Sequence, residues 1–218
     1  MSRKTSSSKD IKKAYSRLSY IYGIFESFFE KKLRRKSLEL LKVNEGDLVL
    51  EIGFGTGYNL IELAKSVGEN GRIYGIDLTS EMIEISKKRL KKKNLEKRVK
   101  LVRGSATKLP FGRNSFNIVY ISNVLELFSD KDIKKVLKEI KRVLKTKGKV
   151  CVIDVAKTGY ENSKSLKLYI WFNKKFPSYT SSPIDVEKYL KNSGFKILKK
   201  DIVKILKFFP MQVVIGMK

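Results

Sequence analysis

A glycine-rich turn between an apolar strand and a helix constrains the fold of this chain more than any other feature. The segment Val49–Ile52 is short and apolar apart from Glu51, and three glycines follow it at alternate positions, Gly53, Gly55 and Gly57. Glycines let the backbone turn tightly and approach a ligand closely. The helix predicted next would present its N-terminal amides at the same place. The segment therefore predicts a ligand site at the end of the first strand.

The spacing of these glycines narrows the class of ligand. It is G-x-G-x-G, which differs from the G-x-G-x-x-G of dinucleotide-binding proteins, and with Glu51 it suits an adenosyl ligand that carries a methionine tail. Asp77 lies 24 residues after Gly53 at the end of the next predicted strand. A carboxylate there can accept hydrogen bonds from ribose hydroxyls. The alternative role for Asp77 is a helix N-cap, for which Thr79 and Ser80 compete.

Strands and helices alternate from residue 48 onward, and this order predicts an α/β fold. Nearly all-apolar strands separated by helices are typical of a parallel sheet covered on both faces. Two C-terminal strands are expected to form a closing hairpin, which gives a doubly wound, Rossmann-like, mostly parallel seven-stranded sheet. The predicted strands are Leu48–Ile52, Arg72–Ile76, Val99–Arg103, Phe116–Ile121, Lys149–Val155, Phe195–Lys204 and Phe208–Gly216, and the predicted helices are Tyr58–Val67, Ser80–Lys92, Lys131–Leu144, Asn162–Phe176 and Pro183–Asn192.

The chain is predicted to have two parts. Residues 1–42 hold 12 basic and four acidic residues and form an N-terminal basic helical cap, and residues 43–218 form the Rossmann-like domain with a helical insert at about 160–192. Ser80 is the predicted N-cap of its helix, and Lys147-Gly148 is predicted to end the helix before the fifth strand. Cys151 lies in an apolar run, which predicts a buried structural thiol.

Composition excludes some chemistry and leaves the partner open. The chain has no histidine and one cysteine, so we expect no metal site of the usual zinc type. It also lacks the commonest general base. A net charge of +26 attracts nucleic acid, an acidic lipid surface or small phosphates, unless it reflects compositional bias alone. Without a signal peptide or a long apolar run, we expect a cytoplasmic protein that is soluble or peripheral at the membrane.

Together the motifs resemble those of class I S-adenosylmethionine-dependent methyltransferases. Besides the glycine segment and Asp77, the matching segments are Gly104–Phe111, Phe116–Val119 and Arg142–Gly148. Their Leu-Pro-Phe and Arg-Val-Leu-Lys elements resemble the branch that contains ubiquinone/menaquinone C-methyltransferases and some phospholipid N-methyltransferases. Tyr15–Ser19, followed by Tyr20 and Tyr22, is similar to the tyrosine-rich opening of that branch.

The resemblance implies a site for S-adenosylmethionine, with S-adenosylhomocysteine as the product. The glycine segment would shape the methionine pocket, and Asp77 would hold the ribose. Leu78 would pack near the adenine, which Ser105 and Ala106 would border. Many relatives carry Asp where this chain has Ser105, and Asp is also common where Asn117 stands, a position that is usually structural. The implied cofactor residues are Glu51, Gly53, Phe54, Gly55, Gly57, Asp77, Leu78, Ser105, Ala106 and Asn123.

The resemblance places Asn123 facing the methyl group and Tyr15 and Tyr22 closing over the cofactor. An amine acceptor needs only a neutral lone pair, whereas a phenol or a ring carbon would benefit from a base. Without histidine, the candidates for that base are Tyr15, Tyr22, Glu126 and Asp154. The predicted catalytic set is therefore Tyr15, Tyr22, Asn123 and Glu126, with Asp154 as a further candidate base.

The class of molecule that accepts the methyl group is predicted from the aromatic and charged side chains expected on the protein surface. Residues 166–176 mix aromatic side chains with lysines, which suits a membrane interface, or else a helix that covers the active site with Trp171 in the core. We expect a membrane-presented acceptor, either a phospholipid head-group amine or a prenylated quinone precursor. The alternatives are a nucleic-acid (RNA) methyltransferase, another small-molecule methyltransferase, or a non-catalytic binder that keeps the fold.

Overall fold

The computed structural model describes residues 31–175, 182–206 and 208–218, and within them seven strands form one sheet. The strands are β1 (Leu48–Ile52), β2 (Arg72–Asp77), β3 (Val99–Arg103), β4 (Phe116–Ser122), β5 (Leu144–Val155), β6 (Lys196–Ile205) and β7 (Phe209–Met217). The helices are α1 (Lys31–Leu41), α2 (Tyr58–Ser66), α3 (Ser80–Lys91), α4 (Asp130–Val143), α5 (Lys164–Lys175) and α6 (Val186–Asn192), with a 3-10 turn at Leu125–Leu127.

The sheet order is β3-β2-β1-β4-β5-β7-β6, and the predicted fold is confirmed. Strands β1 to β5 pair in parallel, whereas β7 runs antiparallel to both β5 and β6. The strand order reverses at β1 and β4, which are neighbours in the sheet although β2 and β3 lie between them in sequence. In open α/β sheets such a switch point, at the carboxyl ends of the strands, is where ligands bind.

Both faces of the sheet are buried under helices, which explains why the strands are almost wholly apolar. Along β5, Cys151 and Ile153 face the core beneath α1, α2, α3 and α5, while Val150 and Val152 face the core beneath α4 and α6. This alternation follows from the two-residue period of a strand. Cys151 is fully buried and burial raises the pKa of its thiol, so the predicted structural cysteine is confirmed.

Several predicted boundaries are wrong; for example, α6 begins at Val186 and not at Pro183. Strand β5 begins at Leu144 and not at Lys149, because Leu144 pairs with Phe116 before a bulge shifts the register to Lys149. Lys147, at φ +62°, therefore lies inside that strand and does not end α4. The N-cap of α3 is Thr79 and not Ser80, because the Thr79 hydroxyl and amide bond Asp77 and hold the turn before the helix.

Helix α1 is the described part of the predicted N-terminal cap. It packs on the sheet through Leu33 and Leu41, and the Ser37 hydroxyl lies 2.8 Å from the Tyr120 hydroxyl of β4. Helices α5 and α6 fall within the predicted insert at 160–192. Among the described residues, no helix combines the length and the apolar character needed to span a bilayer.

Candidate active site

The glycine segment turns sharply at the carboxyl end of β1. Gly53, Gly55 and Gly57 all adopt left-handed backbone conformations, with φ of +68°, +51° and +83°. A residue with a Cβ is strained at such backbone angles, which explains why the sequence has glycine at each of these positions. The Gly53 amide donates to the Ile76 carbonyl at 2.8 Å and ties the turn to β2, and Gly57 begins α2 as its N-cap.

Two of these glycines are also required by close packing. A Cβ at Gly53 would overlap Cγ2 of Val124 and lie 3.0 Å from its Cγ1, and a Cβ at Gly57 would lie 2.6 Å from the Ser86 Oγ. The glycine loop is thus pressed against the segment that follows β4 on one side and against α3 on the other. A cradle of this kind brings the backbone itself close to a ligand.

Asp77 stands at the carboxyl end of β2 and is fixed by three hydrogen bonds. Its Oδ2 accepts from the Gly55 amide at 3.1 Å, and its Oδ1 accepts from the Thr79 amide and hydroxyl, each at 3.0 Å. Burial raises the pKa of the Asp77 carboxyl, and the bonds from Thr79 and Gly55 act against that rise. The carboxylate therefore holds the glycine loop in place, a role that the sequence did not indicate, while it remains half-buried beside the cradle.

The adjoining segments supply an apolar surface and polar groups beside Asp77. Leu78 is 40% exposed at the carboxyl end of β2 although it is aliphatic. Ala106 is buried, and the half-buried Ser105 hydroxyl lies 2.8 Å from the Thr107 hydroxyl. A glycine cradle, a strand-end carboxylate and an apolar surface beside it fit an adenosyl group with a methionine tail.

Asn123 follows β4 with the backbone in the left-handed region, at φ +55°. Its amide donates to the Ile153 carbonyl of β5 at 2.9 Å, and its side chain is half-buried. Non-glycine residues held in such conformations cluster at functional sites. The structure therefore brings Asn123 to the carboxyl edge of the sheet, next to Val124 and so to the glycine cradle.

Glu126 and Asp154 form a buried carboxyl pair at the same edge. They come from the 3-10 turn after β4 and from the end of β5, and they are 6% and 0% exposed. The Glu126 amide donates to the Asp154 Oδ2 at 3.2 Å, which brings the two buried residues together. Burial, followed by the neighbouring charge and hydrogen bond of Glu126, raises the pKa of Asp154 well above its usual range.

Tyr169 is a site residue that the sequence did not single out. It lies on α5, and its hydroxyl donates to the Glu126 Oε1 at 3.4 Å. Its ring packs edge-on against Phe209 at the start of β7, with 5.5 Å between ring centroids. The helical spacing of aromatics in α5 was a signal for this contact, but only the fold shows which of them turns inward. Trp171 is 55% exposed, which contradicts the alternative that places it in the core.

The other predicted site residues are placed as follows. The Phe54 ring is buried in the core and packs over Gly75, so only its backbone lines the cradle. Glu51 is 1% exposed on β1 behind the glycine turn. Tyr15 and Tyr22 lie outside the described residues.

Asn117 is structural as expected, because its Oδ1 accepts from the Leu48 amide and from the Lys145 ammonium, each at 3.0 Å. Within the described ranges, no three acidic or cysteine side chains are grouped so as to hold a metal ion.

Comparison with known proteins agrees with this geometry. Residues 49–148 match a protein family described as a methyltransferase domain. The chain is 35% identical over 175 residues to a demethylmenaquinone methyltransferase of Lactobacillus johnsonii, covering 78% of this chain and 70% of that protein. A demethylmenaquinone methyltransferase of Listeria welshimeri is 31% identical over 150 residues, and there the chain spans 62% of the relative's length. A crystal structure of an S-adenosylmethionine-dependent methyltransferase from Aquifex aeolicus superposes with a TM-score of 0.66 at 26% identity, covering 98% of this chain and 99% of that one.

Proposed function

This chain belongs to the family of S-adenosylmethionine-dependent methyltransferases, and from that premise we propose that its acceptor is a prenylated quinone precursor presented by a membrane. The name of the relatives, demethylmenaquinone methyltransferase, supports a quinone-type acceptor. The observation that carries the proposal is the buried Glu126–Asp154 pair, because it provides a carboxylate that can take the proton lost by the ring carbon. A phospholipid head-group amine is the competing acceptor.

The cofactor residues follow from the cradle at the ends of β1 and β2. The backbone of Gly53, Gly55 and Gly57 would lie against the methionine part, and the Asp77 carboxylate would accept from the ribose hydroxyls. Leu78 would pack on the adenine, with Ser105 and Ala106 at its edge. When bound, S-adenosylmethionine supplies an electrophilic methyl group on a sulfonium centre. The protein contributes alignment and electrostatics.

The carboxyl pair handles the proton that the acceptor loses. As the ring carbon gains its methyl group, its hydrogen leaves as a proton, and a carboxylate must take it. Glu126 and Asp154 are the carboxyl groups that accept it, and the raised pKa of Asp154 favours uptake of the proton. Asn123 follows β4 at the same edge of the sheet, and its side chain orients the ring. Tyr169 donates to Glu126 and so fixes the direction in which that carboxyl points.

The test is methyl transfer from labelled S-adenosylmethionine to two acceptors in detergent micelles. One is a reduced prenylated quinone that lacks the ring methyl group, and the other is phosphatidylethanolamine. We expect a methylated quinone, and a loss of about 100-fold or more in kcat for Asp154→Asn and Glu126→Gln. The control is Glu84→Gln, which removes an exposed charge on α3 and should leave kcat unchanged.

Two results would overturn the proposal. One is a methylated head group with no methylated quinone. The other is full activity on the quinone in both carboxyl variants, which would leave the buried pair without a role in proton transfer.

A further inference from the structure

Four large apolar side chains stand in solvent on two neighbouring segments. On α5, Leu168 is 63% exposed and Trp171 is 55% exposed, and a spacing of three residues puts them on one face of the helix. In the turn between β6 and β7, Leu206 is 48% exposed and Phe208 is 61% exposed. The Ser165 hydroxyl donates to the Phe208 carbonyl at 3.0 Å and joins the turn to α5. These four side chains and the lysines of α5 are called the docking surface below.

The charge around these side chains has one sign. Helix α5 carries four lysines and no acidic residue, and Lys175 places its ammonium 5.3 Å from the centroid of the Trp171 ring. Lys204 adds a further positive charge near the end of β6. In the described part of the chain, the other large exposed apolar side chains are Leu78, beside the cofactor cradle, and Leu198 on β6. An apolar cluster with a cationic rim is thus concentrated at one place.

We propose that the docking surface binds an anionic lipid bilayer, with the four apolar side chains in the interfacial layer and the lysines at the head groups. Apolar area and attraction to anionic lipid together determine such binding. A second copy of the chain fits poorly, because it would place lysine rims against each other. Nucleic acid accounts for the lysines but not for four protruding apolar side chains.

The position of the docking surface relates it to the active site. Tyr169 lies on the inner side of α5 and reaches Glu126, while Leu168 and Trp171 lie on its outer side. Strand β7 starts beside the carboxyl end of β5, where Val155 pairs with Met211. A docked α5 therefore lies between the bilayer and the catalytic carboxyls. This inference rests on the proposed function for its biological meaning, although binding itself is measured without any acceptor.

Trp171 is the one tryptophan of the chain and so reports on its own surroundings. Its fluorescence is recorded with vesicles of phosphatidylcholine alone, with vesicles of equal parts phosphatidylcholine and phosphatidylglycerol, and with transfer RNA. We expect a blue shift with the anionic vesicles only, together with co-sedimentation. No shift with anionic vesicles, or an equal shift with neutral vesicles or RNA, would overturn the proposal.

Two pairs of variants separate this surface from the general charge of the protein. Lys164→Gln with Lys167→Gln should weaken binding to anionic vesicles by about fivefold for each lysine. The matched control, Lys91→Gln with Lys93→Gln at the exposed end of α3 and in the turn that follows it, should bind as the wild type does. Leu168→Ser with Phe208→Ser should also weaken binding, unlike Leu198→Ser. Equal losses in test and control variants would contradict a defined docking surface.

A final comparison distinguishes failure of this inference from failure of the proposed function. The Leu168→Ser and Phe208→Ser variant is assayed with a short-chain, water-soluble quinone precursor and with the long-chain precursor in anionic vesicles. We expect activity to be kept on the first and lost on the second. If the variant is equally active on both precursors, the docking proposal is overturned and the quinone acceptor is unaffected. If the wild type is inactive on both precursors but still binds vesicles, only the quinone acceptor is overturned.

Discussion

Replacing Gly53 by alanine tests how closely the glycine cradle is packed against the loop after β4. At φ +68°, an alanine costs about 1–2 kcal/mol of folding free energy from the backbone conformation alone. Its Cβ would also overlap Cγ2 of Val124, and overpacking of this kind costs about 1–3 kcal/mol more. We therefore expect Gly53→Ala to lower the free energy of unfolding by about 2–5 kcal/mol, measured by urea denaturation.

Gly46 provides the matched control, because its φ is +82° and nothing lies within 4 Å of a Cβ built on it. Gly46→Ala should therefore cost only the backbone contribution of about 1–2 kcal/mol. Adding Val124→Ala to Gly53→Ala removes both Cγ atoms and should recover most of the difference, so the two substitutions should not be additive. Equal losses for the two glycines, or additive losses in the double variant, would refute close packing at the cradle.

Three other predictions concern groups around the site and the sheet. Because the Asp154 pKa is raised in the native state, the free energy of unfolding falls as the pH rises above the usual carboxyl value near 4, until the native carboxyl itself ionises. Asp154→Asn should therefore be at least as stable as wild type at pH 7, and the difference in the free energy of unfolding, measured by urea titration, should shrink toward pH 4. Tyr120→Phe removes a buried hydroxyl that lies 2.8 Å from Ser37 and should cost about 1 kcal/mol in the same assay, and no loss would contradict that contact. Arg142 bonds the Glu139 carboxylate through two nitrogens and also the carbonyls of neighbouring residues, so Arg142→Lys should cost about 1–3 kcal/mol, and a neutral result would show that the bidentate geometry is unimportant.

Apolar runs allowed the strands to be predicted from the sequence, and the boundaries failed where hydrogen bonding overrode the pattern. The sequence pattern predicts Leu144 as the last residue of a helix, but Leu144 pairs with Phe116 and is therefore part of β5. Ser80 is a good N-cap by residue type, but Thr79 takes that position because its amide and hydroxyl bond Asp77. Residue propensity alone does not include such hydrogen-bond partners, whether they are two residues away, as Asp77 is, or on another strand, as Phe116 is.

The site residues that were predicted best are those that belong to short sequence motifs. Gly53, Gly55, Gly57 and Asp77 belong to motifs with fixed spacing, and the structure gathers them at one edge of the sheet. Glu126 and Asp154 were each indicated as a candidate base, but nothing in the sequence pairs them, since they are 28 residues apart.

The approach of Glu126 and Asp154 follows from the adjacency of β4 and β5. A topological argument could have found it, because both residues lie at or just beyond the carboxyl ends of neighbouring strands. Tyr169 could not be found in that way, because its inward direction depends on how α5 packs against Phe209.

Binding of S-adenosylmethionine at the cradle and Asp77 is measured by calorimetric titration with S-adenosylmethionine and S-adenosylhomocysteine. Wild type, Asp77→Ala and Asp77→Asn are compared, with Glu84→Ala as the exposed carboxylate control and a thermal melt to confirm folding. We expect micromolar binding by wild type and Glu84→Ala, a strong loss in Asp77→Ala, and an intermediate affinity for Asp77→Asn, which keeps one oxygen as acceptor. Wild-type affinity in a folded Asp77→Ala, or no binding by wild type, would show that the cradle and Asp77 do not form the cofactor site.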